Sequence, residues 1–279
     1  AEDAEPFSFD NLERYGITEE LLTAAQQAPE QEAGKAMEAT EAQLRRAGRI
    51  PAGVFGDNLL AEISDHARTT LNHWQQLRAG WQEETGIREI AVPVQAGPQP
   101  VQLEHWLTDL LVSDARHARI LMLPNELAGK PWNALPHWLV HLFACAAGLE
   151  MTTVLISGET RKALDPLATD EARETLEAIV QAWYQGQRAP LPVACKTAFT
   201  WLASQHKNNP EGDARTEYEG TFGKKGERDY TPELARSYDR FDAMAVEQPA
   251  LPGDFEGWTR ALYEPLSQAL RELAEGEQA

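Results

Sequence analysis

Between Gly56 and Gly158 the spacing of apolar residues switches repeatedly between helical and strand period, and that succession leaves few folds open. From Asn58 to Leu77 the apolar residues Leu59, Leu60, Ile63, Ala67, Leu71 and Trp74 recur at the spacing of one helix face. Two strand-like stretches follow. Ile87–Val94 carries Ile87, Ile90, Val92 and Val94. Val101–Leu111 alternates from Val101 and Leu103, with a shift of pattern near Trp106 and Leu107. A third stretch, His117–Leu123, is almost continuously apolar, which predicts a central strand covered on both faces. Pro131 suits the first turn of a helix over Trp132–Ala147 that stops at Gly148, and Pro136 places its regular part slightly later. Thr152–Ile156 reads as a fourth strand. The order is helix, three strands, helix, strand, so the chain is α/β.

The flanks read as mostly helical. Asp3–Tyr15 is expected to be extended, with Thr18 capping a short helix over Glu19–Gln27 whose first-turn acids Glu19 and Glu20 suit the helix dipole. A second helix, Glu30–Ala47, ends at Gly48 before Pro51, and Gly53–Gly56 is a turn. Beyond Gly158, a helix over Thr169–Trp183 directs Ala172, Leu176, Ile179, Val180 and Trp183 to one face, and Thr197–Gln205 is a short helix. Asn208–Gly226 reads as a polar loop. Thr231–Met244 and Phe255–Leu273 read as amphipathic helices, joined by a linker at Val246–Gly253 that contains Pro249 and Pro252. Residues 1–54 are expected to pack as an N-terminal addition on a domain spanning 55–279, the two forming one structural unit.

The αβββαβ order is that of restriction-endonuclease-like, PD-(D/E)XK cores, here with added N- and C-terminal helices. Such nucleases hold Mg²⁺ between carboxylates on the second and third strands, because a hard cation needs oxygen ligands and the bound ion lowers the pKa of the attacking water. Here the second strand offers Glu104 and Asp109. The third, Ala118-Arg-Ile-Leu-Met-Leu-Pro124, offers no acid. Glu126 lies beyond Pro124, and Lys130 falls four residues after it, outside the Asp/Glu-x-Lys spacing. The core therefore reads as catalytically degenerate, with no metal or other cofactor. His137 and His141 share a helix face but lack the glutamate of a zinc-protease motif and a third ligand, so His141 is expected to pack or hydrogen-bond. Ser157-Gly158 lacks the nucleophile-elbow pattern.

The 44 acidic and 25 basic residues give a net charge of −19, which opposes extensive contact with nucleic acid. Any such contact needs a local basic patch. Gly220-Thr-Phe-Gly-Lys-Lys-Gly-Glu-Arg228 supplies the densest one in the later part of the chain, and Lys224, Lys225 and Arg228 are the candidate DNA-binding residues. It is not a phosphate-binding Walker loop, because its spacing differs and no Ser or Thr follows the lysines. Cys145 and Cys195, two cysteines without a zinc or disulfide pattern, read as small buried hydrophobes and suit a reducing, cytoplasmic setting. No apolar run approaches the ~20 residues of a membrane span. The start Ala1-Glu-Asp-Ala-Glu5 has no signal-peptide pattern and suggests a piece of a longer protein.

Several stretches, taken in order, resemble the C-terminal region of the RecC family, the gamma chains of exodeoxyribonuclease V (RecBCD). They are Glu5-Pro-Phe-Ser-Phe-Asp-Asn-Leu-Glu-Arg-Tyr15, Arg45-Arg-Ala-Gly-Arg-Ile-Pro-Ala-Gly-Val-Phe-Gly56 and Trp138-Leu-Val-His-Leu-Phe-Ala-Cys-Ala-Ala-Gly148. Pro166-Leu-Ala, Tyr184-Gln-Gly-Gln-Arg-Ala-Pro-Leu-Pro192 and Tyr218-Glu-Gly220 continue the series, and the match is looser over 80–130. The resemblance implies a non-catalytic domain with a degenerate nuclease-like fold. It also implies RecB-like and RecD-like partner subunits, and forked or single-stranded DNA handled within their complex during double-strand break repair and recombination. The isolated piece is expected to be a monomer. Two other readings remain open from sequence: a divergent metal-dependent nuclease using Glu104, Asp109 and Glu126, and a protein-docking domain whose acidic helices around Glu19–Glu41 meet a basic partner.

Overall fold

The computed structural model describes residues 9–84, 86–114, 116–246, 253–274, 276 and 277. Three helices come first: α1 (Asn11–Gln27), α2 (Ala33–Arg46) and α3 (Val54–Arg78). Strands β1 (Gln82–Glu83), β2 (Arg88–Ala96), β3 (Gln99–Leu107), β4 (Leu111–Ser113) and β5 (Arg116–Met122) follow, then α4 (Leu135–Ala146), β6 (Met151–Ser157) and β7 (Thr160–Leu164). The rest comprises α5 (Thr169–Gly186), α6 (Cys195–Ala203), α7 (Pro210–Glu219), β8 (Gly220–Thr221), β9 (Lys224–Lys225), α8 (Pro232–Ser237), α9 (Phe241–Met244), α10 (Phe255–Leu262), α11 (Glu264–Ala269) and β10 (Arg271–Glu272). The chain is thus mixed α/β. Among the described residues, no helix is long and apolar enough to cross a membrane.

The main sheet has the order β1-β4-β5-β6-β7-β10. Only β5 and β6 run parallel, joined through α4, while the other neighbouring pairs are antiparallel. Alternation along β5 and β6 gives the sheet two apolar faces. Ala118, Ile120, Val154 and Ile156 lie in one core with Leu60, Ile63, Ala67, Leu71 and Trp74 of α3, and this core continues into Ile17 and Leu21 of α1 and Met37 and Leu44 of α2. Leu155 and Leu164 share the opposite core with Trp138 and Leu142 of α4, Leu176 of α5, and Val92 and Val94 of β2. Full burial of each large apolar side chain contributes about 1.5–3 kcal/mol, so the sheet holds its helices from both sides. Inside the first core the Trp74 indole N–H donates to the Ile120 carbonyl at 2.9 Å, which fixes α3 against the middle of β5.

The expected central strand is present as β5, between β4 and β6, with Ala118, Arg119 and Ile120 all buried in succession. Two other expected strands are placed differently. Ile87–Val94 and Val101–Leu111 do not join the sheet of β5; they pair with each other as the separate hairpin β2–β3. The second stretch breaks after Leu107, because Asp109 takes a left-handed conformation (φ 57°) and redirects the chain into β4. The hairpin buries Ile90, Val92, Val94 and Ala96 and leaves Glu104 and Trp106 in solvent, as expected for a ribbon lying on helices with one face. The three strands before α4 in the main sheet are therefore β1, β4 and β5, with the hairpin inserted between the first two.

The flanks carry further corrections. Helix α1 begins at Asn11, and its cap is Asp10 rather than Thr18. Asp10 accepts from the Glu13 amide at 2.8 Å, and Glu13 accepts from the Asp10 amide at 2.8 Å, forming a capping box. Thr18 is buried inside the helix and donates to the Arg14 carbonyl. The remainder of the expected extended stretch, up to residue 8, lies outside the described residues. Asn208–Gly226 is not a loop: Asn209 caps α7, Pro210 opens it, and β8–β9 follow. Thr231–Met244 divides into α8 and α9, and Phe255–Leu273 divides at Tyr263 and again after Ala269. Trp183, expected on the buried face of α5, is exposed. The linker expected at Val246–Gly253 falls mostly on residues 247–252, outside the described residues.

Gly56 marks the tightest passage of this fold, since a Cβ there would lie 1.8 Å from the Pro51 carbonyl oxygen. Gly56→Ala must displace the turn before α3 and is expected to destabilise the chain by about 1–3 kcal/mol in urea titration. An unchanged midpoint would show that the 51–56 turn is not held against α3.

Candidate nucleic-acid interface

The basic loop singled out in the sequence is a two-stranded hairpin with Phe222 and Gly223 at its tip. Gly220 pairs with Lys225 and Thr221 with Lys224. Its base is closed by two glycines in direct backbone contact. A Cβ on Gly226 would lie 2.3 Å from the Gly220 nitrogen and 2.2 Å from the Tyr218 oxygen, so no side chain fits there. Gly220 also has φ +77°, a conformation natural to glycine. Behind the hairpin, the Glu227 carboxylate accepts from the Lys196 and Thr197 amides at 3.0 and 2.8 Å, and from the Thr197 hydroxyl at 2.8 Å. An anion thereby caps the N-terminus of α6 and ties the hairpin to that helix. Tyr218, fully buried, donates its hydroxyl to the Tyr238 carbonyl at 2.5 Å and fixes α7 from below; burial pushes its pKa up to about 12.

Lys224 and Lys225 are both exposed on this support, and Phe222 projects fully into solvent. The Lys225 ammonium lies 5.7 Å from the ring centre of Tyr230, itself exposed. Lys196 joins them, its ammonium 6.0 Å from the Tyr230 ring and 5.7 Å from the Trp132 ring. The fold thus gathers Lys196, Lys225, Tyr230 and Trp132 by cation–ring contacts, with Lys224 and Phe222 exposed on the same hairpin. Arg228 is placed differently from the lysines: half-buried, it donates to the Asp239 carbonyl at 2.5 Å and faces Asp229 at 4.0 Å. Sequence reasoning missed Lys196 and Trp132, which lie 64 positions apart and 34 or more from Tyr230, and also Tyr230 and Phe222, which carry no charge to mark them beside the basic run.

The carboxylates expected to be candidate metal ligands are not brought together. Glu104 stands exposed on the separate hairpin. Glu126 is paired with Lys130 at 2.7 Å. Asp109, in the turn before β4, supports the charge of Arg119, whose Nε–H donates to the Thr108 carbonyl at 3.3 Å. Arg119 is only 7 % exposed and occupies the middle of β5, where the nuclease reading requires an acid. Among the described residues, no group of three or more His, Cys, Asp or Glu could hold a metal ion. The donor set does not fit a Mg²⁺ centre, because the expected acids are dispersed and a guanidinium, Arg119, acts on Asp109.

His141 has the packing and hydrogen-bonding role expected of it. Completely buried, it donates from Nε2 to the Asp165 carbonyl and accepts at Nδ1 from the Thr153 hydroxyl, both at 3.0 Å. Both nitrogens are used, which leaves none for a metal. Burial, aided by the Arg119 charge, pushes His141 down to about 4, and the same causes push His137 down to about 4. Cys145 is buried with its pKa raised by burial, and Cys195 is pushed up to about 12 by burial; both are free thiols.

The sequence profile of the RecC C-terminal domain matches residues 1–206. The chain is thus a mixed α/β domain with a mixed sheet, and it belongs to the RecC C-terminal domain family. A curated relative, the RecBCD enzyme subunit RecC of Escherichia coli (strain K12), is 26 % identical over 227 residues, which cover 80 % of this chain and 18 % of that protein. The chain thus spans under a fifth of the length of that relative.

Buried His141 and half-buried His137 set a pH dependence. Their pKa is about 6.5 when unfolded and about 4 when folded, so between these values the unfolded chain binds more protons. Their stabilising effect is complete above pH 6.5 and is lost as pH falls toward 4. Urea midpoints are expected to fall from pH 7.5 to pH 5, and His137→Gln/His141→Gln should flatten that fall. An equally steep fall in the double variant would contradict the assignment.

Proposed function

We propose that this chain is a non-catalytic module of a RecC-type subunit in a helicase–nuclease complex, where it docks RecB-like and RecD-like subunits and guides DNA strands during break repair and recombination. The observation that carries the DNA part of this reading is the basic, aromatic hairpin surface on a chain of net charge −19. Exposed Lys224 and Lys225, with Lys196, supply phosphate contacts, and Phe222 and Tyr230 supply faces on which bases stack. Arg228 acts mainly by holding the hairpin through the Asp239 carbonyl. The family match and the named relative, a RecBCD subunit, support the assembly part.

We read the core as a degenerate restriction-endonuclease-like fold. The support is the succession α3, β1, β4, β5, α4, β6, with these four strands neighbours in the main sheet and a parallel β5–β6 pair. Arg119 on β5, in place of an acid, supports loss of metal chemistry. The domain acts in the cytoplasm on this reading, with residues 1–54 and 55–279 working as one unit.

The test is binding of the purified chain to a forked duplex at several salt concentrations. Affinity is expected to fall steeply with salt. Lys224→Ala/Lys225→Ala should weaken binding and lower the log–log salt slope by roughly 2, about one for each phosphate no longer neutralised. Phe222→Ala should weaken single-strand binding by about 1–3 kcal/mol. Binding that is absent even at low salt would remove the DNA role from this hairpin and favour a domain devoted to protein docking.

A further inference from the structure

A second site lies on another part of the molecule and does not depend on the DNA-facing hairpin. Between α4, the start of α5 and the pair α10–α11 is a groove of about 340 Å³, within the approximate 300–1,000 Å³ range of ligand sites. Trp138 lines it. This indole is 2 % exposed and stacks on His141 at 5.8 Å, yet its Nε1–H has no hydrogen-bond partner. A buried donor left unpaired costs about 1–3 kcal/mol, and an acceptor entering the groove would recover that. The opposite wall carries Arg260, whose guanidinium is already engaged by Glu256 at 2.9 Å and Glu264 at 3.1 Å and stacks over the Trp201 ring at 5.0 Å. Its positive charge is thus neutralised within the wall. Glu171, exposed in the first turn of α5, has no ion-pair or side-chain hydrogen-bond partner among the described residues. The groove therefore offers one buried donor and one unpaired carboxylate. The wall formed by α10 and α11 lies beyond residues 1–206, the part matched by the RecC profile.

We propose that this groove binds a basic, extended peptide segment of a partner protein, with a backbone carbonyl of the segment accepting from Trp138 Nε1–H and a Lys or Arg side chain meeting Glu171. Peptide carbonyls and basic side chains occur together in such a segment, which matches the donor and the carboxylate at once. A carboxylate ligand would suit the indole but would face Glu171 and the Glu264 of the wall. The overall charge of −19 favours the approach of a basic partner and disfavours an acidic one. Thr175 and Leu167, on the α5 side, complete a mixed polar and apolar lining suited to an extended backbone.

The experiment uses the purified chain and a short fluorescein-labelled peptide of alternating alanine and arginine, followed by fluorescence anisotropy. The same peptide with glutamate in place of arginine is the control. Saturable binding of the basic peptide alone is expected. Glu171→Lys and Thr175→Trp, the second of which fills the groove, should each weaken it about tenfold, and Trp138→Phe should weaken it several-fold. Glu38→Lys, an equal charge change on the exposed face of α2, should alter it less than about twofold. In ¹⁵N spectra the indole N–H signal that disappears in Trp138→Phe should move on saturation with peptide. The proposal is overturned by absence of binding, by equal losses in Glu171→Lys and Glu38→Lys, which would mean general attraction to an acidic surface, or by an unmoved Trp138 indole signal. Should Trp138→Phe fail to fold, Glu171→Lys and Thr175→Trp still decide the matter, because neither touches the core beneath the indole.

Discussion

A single buried cation, Arg119, constrains the arrangement around the middle of the sheet. A guanidinium taken out of water is tolerated only with acceptors and opposite charge close by. Here those are the Thr108 carbonyl and the Asp109 carboxylate, both in the short turn between β3 and β4. Asp109 sits in a left-handed conformation, which a short polar side chain adopts more readily than most. Around this turn β3 ends at Leu107 and β4 starts at Leu111, and β2 and β3 lie outside the main sheet, across α4 and α5. The same charge acts on His105, His137 and His141, pushing each further down after burial has already done so. Burial together with this charge keeps the neighbouring histidines neutral, and the same side chain stands on β5 where the nuclease reading requires an acid.

This also explains which parts of the fold were legible in the sequence. Helical and strand period, together with Pro131, Gly48 and Gly148, located α2, α3, α4, β5 and β6 to within a few residues, because these elements bury one face or both against the sheet and their apolar spacing records it. The hairpin β2–β3 was legible as two strands, but its partner was not. A ribbon buried on one face shows the same alternation whether it extends a sheet or lies on helices. In the folded chain the ribbon packs on α4 and α5 instead, a tertiary contact that the alternation does not record. Short elements escape such reading: β1 and β10 have two residues each, too few to show a period, and α7 is polar enough to read as loop despite its Asn209 cap and Pro210. The cap expected at Thr18 lies instead at Asp10 with Glu13, inside the stretch expected to be extended, and the structure buries Thr18 in the helix.

The candidate interface shows a similar division. A run of basic residues was visible, but the difference between its members was not. Lys224 and Lys225 are both exposed on a two-residue strand paired with β8, whereas Arg228 follows Gly226 into a tight turn and is drawn to the Asp239 carbonyl. Glu227, which by charge alone should weaken a basic surface, spends its carboxylate on the amides at the start of α6. An acid placed inside a basic run here fixes the geometry of the lysines around it. Lys196 arrives from that same helix start, so the capping interaction and the basic surface are built from adjacent residues.

Acidity and a basic hairpin coexist because electrostatic attraction at a surface is local. At physiological ionic strength charges more than about 8 Å apart are largely screened when exposed. A lysine pair flanked by aromatic rings can therefore meet a polyanion even where the rest of the chain repels it, and the surrounding repulsion confines contact to that patch. The groove beside Trp138 uses the complementary side of the same charge distribution, in which unpaired carboxylates favour a basic partner. On the reading proposed above, the sheet and its two helical layers serve as a rigid frame, and partner contacts lie on parts added around it: the hairpin β8–β9, the α6 start, and the α10–α11 wall. Such a division follows from packing. Substitutions within the frame disturb both cores at once, whereas the added elements meet the frame through one face and leave the other free for binding.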